Sequence, residues 1–161
     1  MDSRLMEWAY LYFNDVDFAK WMDITRPMTL PDCGAYFRII QDDPKQVLLQ
    51  VEYVPSKEVI GFVNAQWSGR DILGCNLKVV RPMFVLPALA LALDYAFLRM
   101  GARKVLCYPP ASHAPLFEKV FRRAGIMVEH RFVDGGWVDV AVLELLRREY
   151  DEHPFLRKLV R

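Results

Sequence analysis

The side chains in this 161-residue chain with catalytic or metal-binding potential are three histidines, three cysteines and a few polar residues on apolar segments. His113, His130 and His153 have no partners at metal-ligand spacing, so no metal site is expected. Cys33, Cys75 and Cys107 are odd in number and widely separated, with no Cys-x-x-Cys pair. That pattern argues against a disulfide framework or zinc knuckle and for a reducing, cytoplasmic compartment. Cys107 falls on a predicted buried strand and reads as core rather than nucleophile. No Gly-x-Ser-x-Gly elbow is present to activate a serine. His113, beside Ser112 and just before a predicted helix, could shuttle a proton near neutral pH, or could stand as an exposed cap residue.

The elements that must position such groups change period along the chain. Residues 5–13 fit either a strand or a helical face through Leu5, Trp8 and Tyr12. Asn14 can cap a helix that carries Asp15 and Asp17 in its first turn and ends near Thr25, because Pro27 restricts Arg26. Residues 25–34, with two prolines and a glycine, read as a loop. Strands follow at 35–40, 47–54, 59–67 and 77–81, separated by turn residues such as Gln41-Asp42-Asp43-Pro44 and Ser68-Gly69-Arg70-Asp71. The spacing then predicts a helix over 87–100, a short strand over 104–108 and an amphipathic helix over 114–124 stopped by Gly125. A hairpin of 127–133 and 137–145 turns at Asp134-Gly135-Gly136.

Composition bounds the class. Hydrophobic residues make up 53%, aromatics 13% and charged residues 25%. Such a chain is too apolar for disorder, and its length predicts one domain over 1–161. The net charge of +1 makes nucleic acid an unexpected partner. The charge is uneven, with eight acids against four bases in residues 1–43 and an excess of bases beyond. The longest apolar run, residues 83–93, is broken by Pro87 and is shorter than the roughly 20 residues a membrane span needs. No signal-peptide core follows Met1-Asp2-Ser3-Arg4, so no membrane association is expected.

Two motifs in register carry a resemblance. Val79-Val80-Arg81-Pro82 closes a predicted strand before a helix that ends in Gly101-Ala102-Arg103-Lys104-Val105-Leu106. The next helix ends in Phe121-Arg122-Arg123-Ala124-Gly125-Ile126. With the order of elements, this resembles the GCN5-related N-acetyltransferase (GNAT) superfamily. The resemblance implies an α/β (α+β) fold: a mixed, mostly antiparallel central sheet with helices on both faces. It implies acetyl-CoA as cofactor, with the backbone of Val79 and Arg81 on the pantetheine arm, in the splay between two neighbouring strands. The pyrophosphate loop would fall on Val85, Leu86, Ala88 and Ala90. Glu52 and Asn64 would lie on strands lining the acceptor cleft, where either could orient an amine.

The chain departs from that pattern at the residues that matter for chemistry. Glycines normally let a phosphate approach the backbone amides at a helix start. Here Leu86 is bulky, Pro87 lacks an amide and Val85 is apolar; only Ala88 and Ala90 are small. The family's acidic tyrosine falls on Phe121, which has no proton to donate. These losses lead to the expectation of a pseudoenzyme: a GNAT-fold binding or assembly module, of the kind found among phage proteins and compatible with a virion. The alternative is an active acetyl-CoA-dependent N-acetyltransferase, with His113 or Glu52 assisting. The aromatic content suits a protein contact. If the apolar run 138–146 lay at a sheet edge it would invite another chain, so a protein partner or self-association is expected through the C-terminal third, with 147–161 as a basic tail beside the contact.

Overall fold

Asp2 caps the first helix by accepting the amide of Arg4 at 3.0 Å. This helix, α1 (Ser3–Phe13), buries Leu5, Trp8, Ala9 and Phe13, so the ambiguous aromatic stretch is helical. The computed structural model describes residues 2–15, 24, 26–133, 135–154 and 156. Asn14 is a cap, but of the helix before it. Its side-chain amide donates to the carbonyls of Tyr10 and Met28, at 2.7 and 2.9 Å, and its carbonyl accepts the Met28 amide at 2.8 Å. The helix expected from there to Thr25 lies outside the described residues.

The expected loop over 25–34 and strand over 35–40 are instead largely one helix, α2 (Leu30–Asp42). Two local signals outweigh the β-branched residues of this segment. Thr29 and Asp32 form a capping box, with amide-to-side-chain distances of 2.8 and 3.3 Å, and Pro31 sits in the first turn, where a missing amide costs nothing. Cys33, Phe37 and Ile40 then fall on one buried face.

Six strands form one sheet: β1 (Gln46–Tyr53), β2 (Glu58–Ser68), β3 (Asp71–Val79), β4 (Lys104–Cys107), β5 (Arg122–Val133) and β6 (Gly136–Leu146). Their order is β1-β2-β3-β4-β6-β5, and every pair is antiparallel except β3–β4. The third strand runs over 71–79, so it starts well before the expected 77–81. Gly74 and Asn76 disguise it, and pairing with β2 carries them. Between β3 and β4, a 3₁₀ turn (Pro82–Phe84) leads into α3 (Val85–Asp94), which continues as one π-helical stretch (Tyr95–Arg99). Gly101, at φ +67°, ends it in the left-handed conformation glycine favours.

The amphipathic helix expected over 114–124 is cut to a single turn, α4 (Ala114–Phe117). Arg122 and Arg123 join β5 opposite Glu144 and Leu143, and the Arg122 guanidinium lies 2.7 Å from the Glu144 carboxylate. Strand pairing and this ion pair override local helical preference. The run 138–146 does not lie at an edge. It belongs to β6, between β4 and β5, and β5 is the edge.

Helices cover both faces. Against one face α1 and α2 bury an aromatic cluster, in which Phe62 of β2 meets the rings of Trp8, Phe13 and Phe37 edge-on. Against the other, α3 and its continuation bury Leu89, Leu93 and Phe97 over Val105, Leu143 and Leu145. The helical run Pro82–Arg99 has the length and mean hydropathy, 1.4, of a membrane span, yet it packs this buried face on the sheet. The chain end docks here too. In α5 (Arg147–Glu152), Tyr150 stacks on Phe97 at 4.7 Å and its hydroxyl donates to Asp94, while the Arg147 guanidinium donates to the Phe97 carbonyl. Leu156 is buried beside them. The basic residues Arg157, Lys158 and Arg161 lie outside the described residues.

Candidate active site

The parallel pair β3–β4 holds together over only two residue pairs, Asp71 with Lys104 and Ile72 with Val105. Beyond them each strand follows its other neighbour. β3 stays on β2 as far as Val79 opposite Gly61, and β4 stays on β6 as far as Cys107 opposite Leu143. The two strands therefore splay, and among the described residues no further β3–β4 pair forms. The gap opens a cleft of about 560 Å³ including its mouth.

The sheet's alternation divides the lining. Cys75, Leu77, Cys107 and Phe117 pack with the core beneath α3. Asn76 and Lys78 stand opposite Asn64 and Phe62 in register, on the face that carries α1 and α2. Arg131 pairs with Val138, which alternates with Ala141 and Leu143 of the α3 face, so it shares the face of Asn76 and Lys78. Tyr108, the residue after Cys107, follows the same alternation. Pro109, Pro110 and His113 complete the lining, held by antiparallel contacts of this turn with Val140 and Ala141.

Two thiols face this cleft, and neither is a nucleophile. Burial pushes the Cys75 thiol up to about 12, and burial together with Cys75 raises that of Cys107 further. The thiolate is the reactive form, so both stay inert at neutral pH. Burial, then the neighbouring Cys107, also raises the Tyr108 phenol. Tyr108 is thus held protonated, as a proton donor inside the cleft.

Of the residues expected at the site, His113 reaches it, exposed at the mouth immediately before α4. Glu52 does not: it lies on β1, two strands away, with its carboxylate 3.0 Å from the Arg4 guanidinium. Asn64 is buried and donates to the Gln46 side chain at 3.0 Å. Val79 ends β3 beside the cleft, and the exposed Arg81 reaches back to Glu58 through two bonds of 3.1 and 3.2 Å. Leu86 packs on the core, and Ala88 and Ala90 are buried, so their small side chains serve packing of α3. At the helix start the amides of Phe84 and Val85 already bond the carbonyls of Arg81 and Pro82, and Pro87 has none. Few donors are left there for a pyrophosphate. Phe121 is buried in the core, and the aromatic ring that faces the cleft is Phe117, one turn earlier.

Sequence reasoning passed over Tyr108, Phe117, Lys78 and Arg131. Tyr108 could have been found as the last residue of a strand stopped by Pro109-Pro110. Arg131 reaches the cleft through the irregular pairing between Met127 and Arg131, which no local pattern announces.

A six-stranded mixed sheet with one splayed parallel pair and helices on both faces is the fold of the GCN5-related N-acetyltransferases. The chain is similar in structure to a spermidine N-acetyltransferase from Vibrio cholerae in complex with CoA and spermine. That match has a TM-score of 0.80 and 18% identity, over 93% of this chain and 94% of that one. A chimeric form of the Vibrio enzyme matches with a TM-score of 0.78 at 17% identity, over 94% and 96% of the two chains. Glutamate-to-glutamine forms of the same spermidine/spermine N-acetyltransferase match at 0.75 and 18%, over 94% of each chain. No protein-family model matches the chain, and no curated protein matches it in sequence. At such identities the likeness is one of fold.

Proposed function

We propose that the protein is an acetyl-CoA-dependent N-acetyltransferase. The observation that carries this reading is the splay between β3 and β4, which opens backbone polar groups onto a cleft that also holds a protonated phenol. An extended amide arm suits such a gap, because it can bond a strand edge as another strand would. When bound, acetyl-CoA supplies an acyl thioester that an amine can attack. Cys75, Leu77 and Cys107 line the apolar side of that position and exclude water. With both thiols protonated, no acyl-cysteine forms, and the amine attacks directly, helped mainly by positioning. Tyr108 gives its proton to the departing sulfur, and His113 at the mouth takes one from the amine. The acceptor is an amine, as the names of the similar Vibrio enzymes indicate for them.

A second reading, a binding or assembly module without catalysis, is favoured by one observation: the helix start of α3 has two engaged amides and a proline where phosphate donors would be needed. Calorimetric titration with acetyl-CoA separates the two. Saturable binding is expected; no heat at millimolar ligand sinks the transferase. With an acceptor in hand, Tyr108→Phe should lower kcat by about 10²-fold or more while acetyl-CoA binding stays intact.

A further inference from the structure

The side of the cleft that faces away from α3 carries Lys78 on β3 and Arg131 on β5. Among the described lining residues none is an aspartate or glutamate. The two cations come from opposite sides of the splay, since the sheet order places β4 and β6 between their strands. Neutral polar groups, Asn76 and Tyr108, lie between them. The helix start where a cofactor's phosphates would be expected belongs to α3, on the other face of the sheet. The charge of this wall is therefore set for whatever enters from the α1–α2 side, which is the acceptor.

We infer that the acceptor is an amine carrying an acidic group, such as an amino acid or the N-terminus of an acidic peptide, and that Lys78 and Arg131 hold its carboxylate while the amine faces the thioester. This rests on the transferase reading. A low-dielectric cleft strengthens a guanidinium–carboxylate contact over its value in water, and planar bidentate pairing would orient the molecule. A polyamine meets the same two cations as like charges, so the wall selects against it. The similar Vibrio enzymes are spermidine acetyltransferases, and this chain would differ from them in substrate class.

The test measures acetyl-CoA binding by calorimetry and CoA release with four acceptors: L-glutamate, the peptide Asp-Glu-Ala, neutral glycinamide and spermidine. Binding of acetyl-CoA with kcat/KM at least tenfold higher for an acidic acceptor than for spermidine is expected. Lys78→Gln and Arg131→Gln should each cut kcat/KM for the acidic acceptor at least tenfold, chiefly through KM, and leave glycinamide within twofold. Thermal unfolding and acetyl-CoA titration of both variants verify folding. If acetyl-CoA binds and spermidine is preferred, or no acidic acceptor is turned over, the inference falls and the transferase reading stands on its own test. If the variants weaken acetyl-CoA but not acetyl-pantetheine, the cations serve the cofactor's phosphates and the inference is overturned. Absence of acetyl-CoA binding removes the transferase reading and this inference with it.

Discussion

Gly61 on β2 stands opposite Val79, at the end of the strand that walls the cleft. A Cβ built there would lie 2.0 Å from the Lys78 carbonyl oxygen, and 3.0 Å from both the Lys78 carbonyl carbon and the Val79 Cα. Ordinary contact begins at 3.4 Å, so Gly61→Ala must part β2 from β3 or bend one of them. The obstructing atoms are backbone, which no rotamer change can move. Overpacking of this kind costs about 1–3 kcal/mol, and we take about 3 kcal/mol because the strain falls on paired strands. Removing glycine's freedom from the unfolded chain returns about 0.4–1 kcal/mol. The net loss of about 2 kcal/mol should lower Tm by about 4–8 °C in a chain of this size. Gly74 on the same β3 is the control, since nothing lies within 4 Å of its Cβ and its φ is not positive. Gly74→Ala should hold or raise Tm. Gly61→Ala should also weaken acetyl-CoA binding, because it shifts Lys78 and Val79. Scanning calorimetry of the two variants side by side is the assay. A Tm for Gly61→Ala within 1 °C of wild type, or an equal loss in Gly74→Ala, would refute the close-approach argument.

The cleft thiols should react slowly: iodoacetamide at pH 8 should label Cys75 and Cys107 at least tenfold more slowly than free cysteine, followed by mass spectrometry, with fast labelling contradicting their burial. Burial lowers His153 from its ordinary 6.5, and its Nδ1 accepts the Leu156 amide at 3.5 Å, so it is neutral in the fold. Its contribution is complete above pH 6.5 and is lost as pH falls through the depressed folded value; Tm should drop more between pH 7 and 5 in wild type than in His153→Gln, and equal drops would contradict this. Thr29→Ala removes half of the capping box of α2 and should cost about 1 kcal/mol in urea unfolding, with no loss indicating that the box is idle. Self-association through the C-terminal third remains a proposal, now on the edge strand β5, where Ile126, Val128 and Phe132 are exposed beside Trp137. Light scattering should show a dimer that Val128→Lys dissociates, and a monomer at micromolar concentration would end it.

The second half of the fold was legible because its signals are local and agree with one another. Gly101 ends a helix where the pattern ends, and the 104–108 and 137–145 strands sit close to β4 and β6. The first half was not, because its signals compete. In 30–42, Tyr36, Phe37, Ile39 and Ile40 favour a strand, and the reciprocal Thr29–Asp32 bonds together with Pro31 decide for a helix. That box was in the sequence, but the prolines around it were read as a loop. The truncation of the helix after Phe117 was beyond local reading. It depends on Glu144 and Leu143, some twenty residues further on, claiming Arg122 and Arg123.

The site was legible at its centre and obscure at its rim, for a physical reason. A splay is a relation between two strands, and the order strand–helix–strand foretells it without naming a lining residue. Which side chains line it then depends on parity, and one residue of slip reverses every assignment. Counting from Gly125 along a continuous helix put the acid position on Phe121, but the helix stops at Phe117 and the count loses a turn. The loss of a phenol from that helix holds either way, since both residues are phenylalanine. What counting could not supply is the replacement. Tyr108 enters the cleft because Pro109 and Pro110 end β4 beside it and are pinned to β6 through the Ala141 amide at 2.9 Å. The damaged phosphate loop and the intact cleft are therefore separate facts about the chain. The first weakens the grip on one end of a cofactor, and the second keeps the chemistry at the other end available, so a transferase of low cofactor affinity satisfies both.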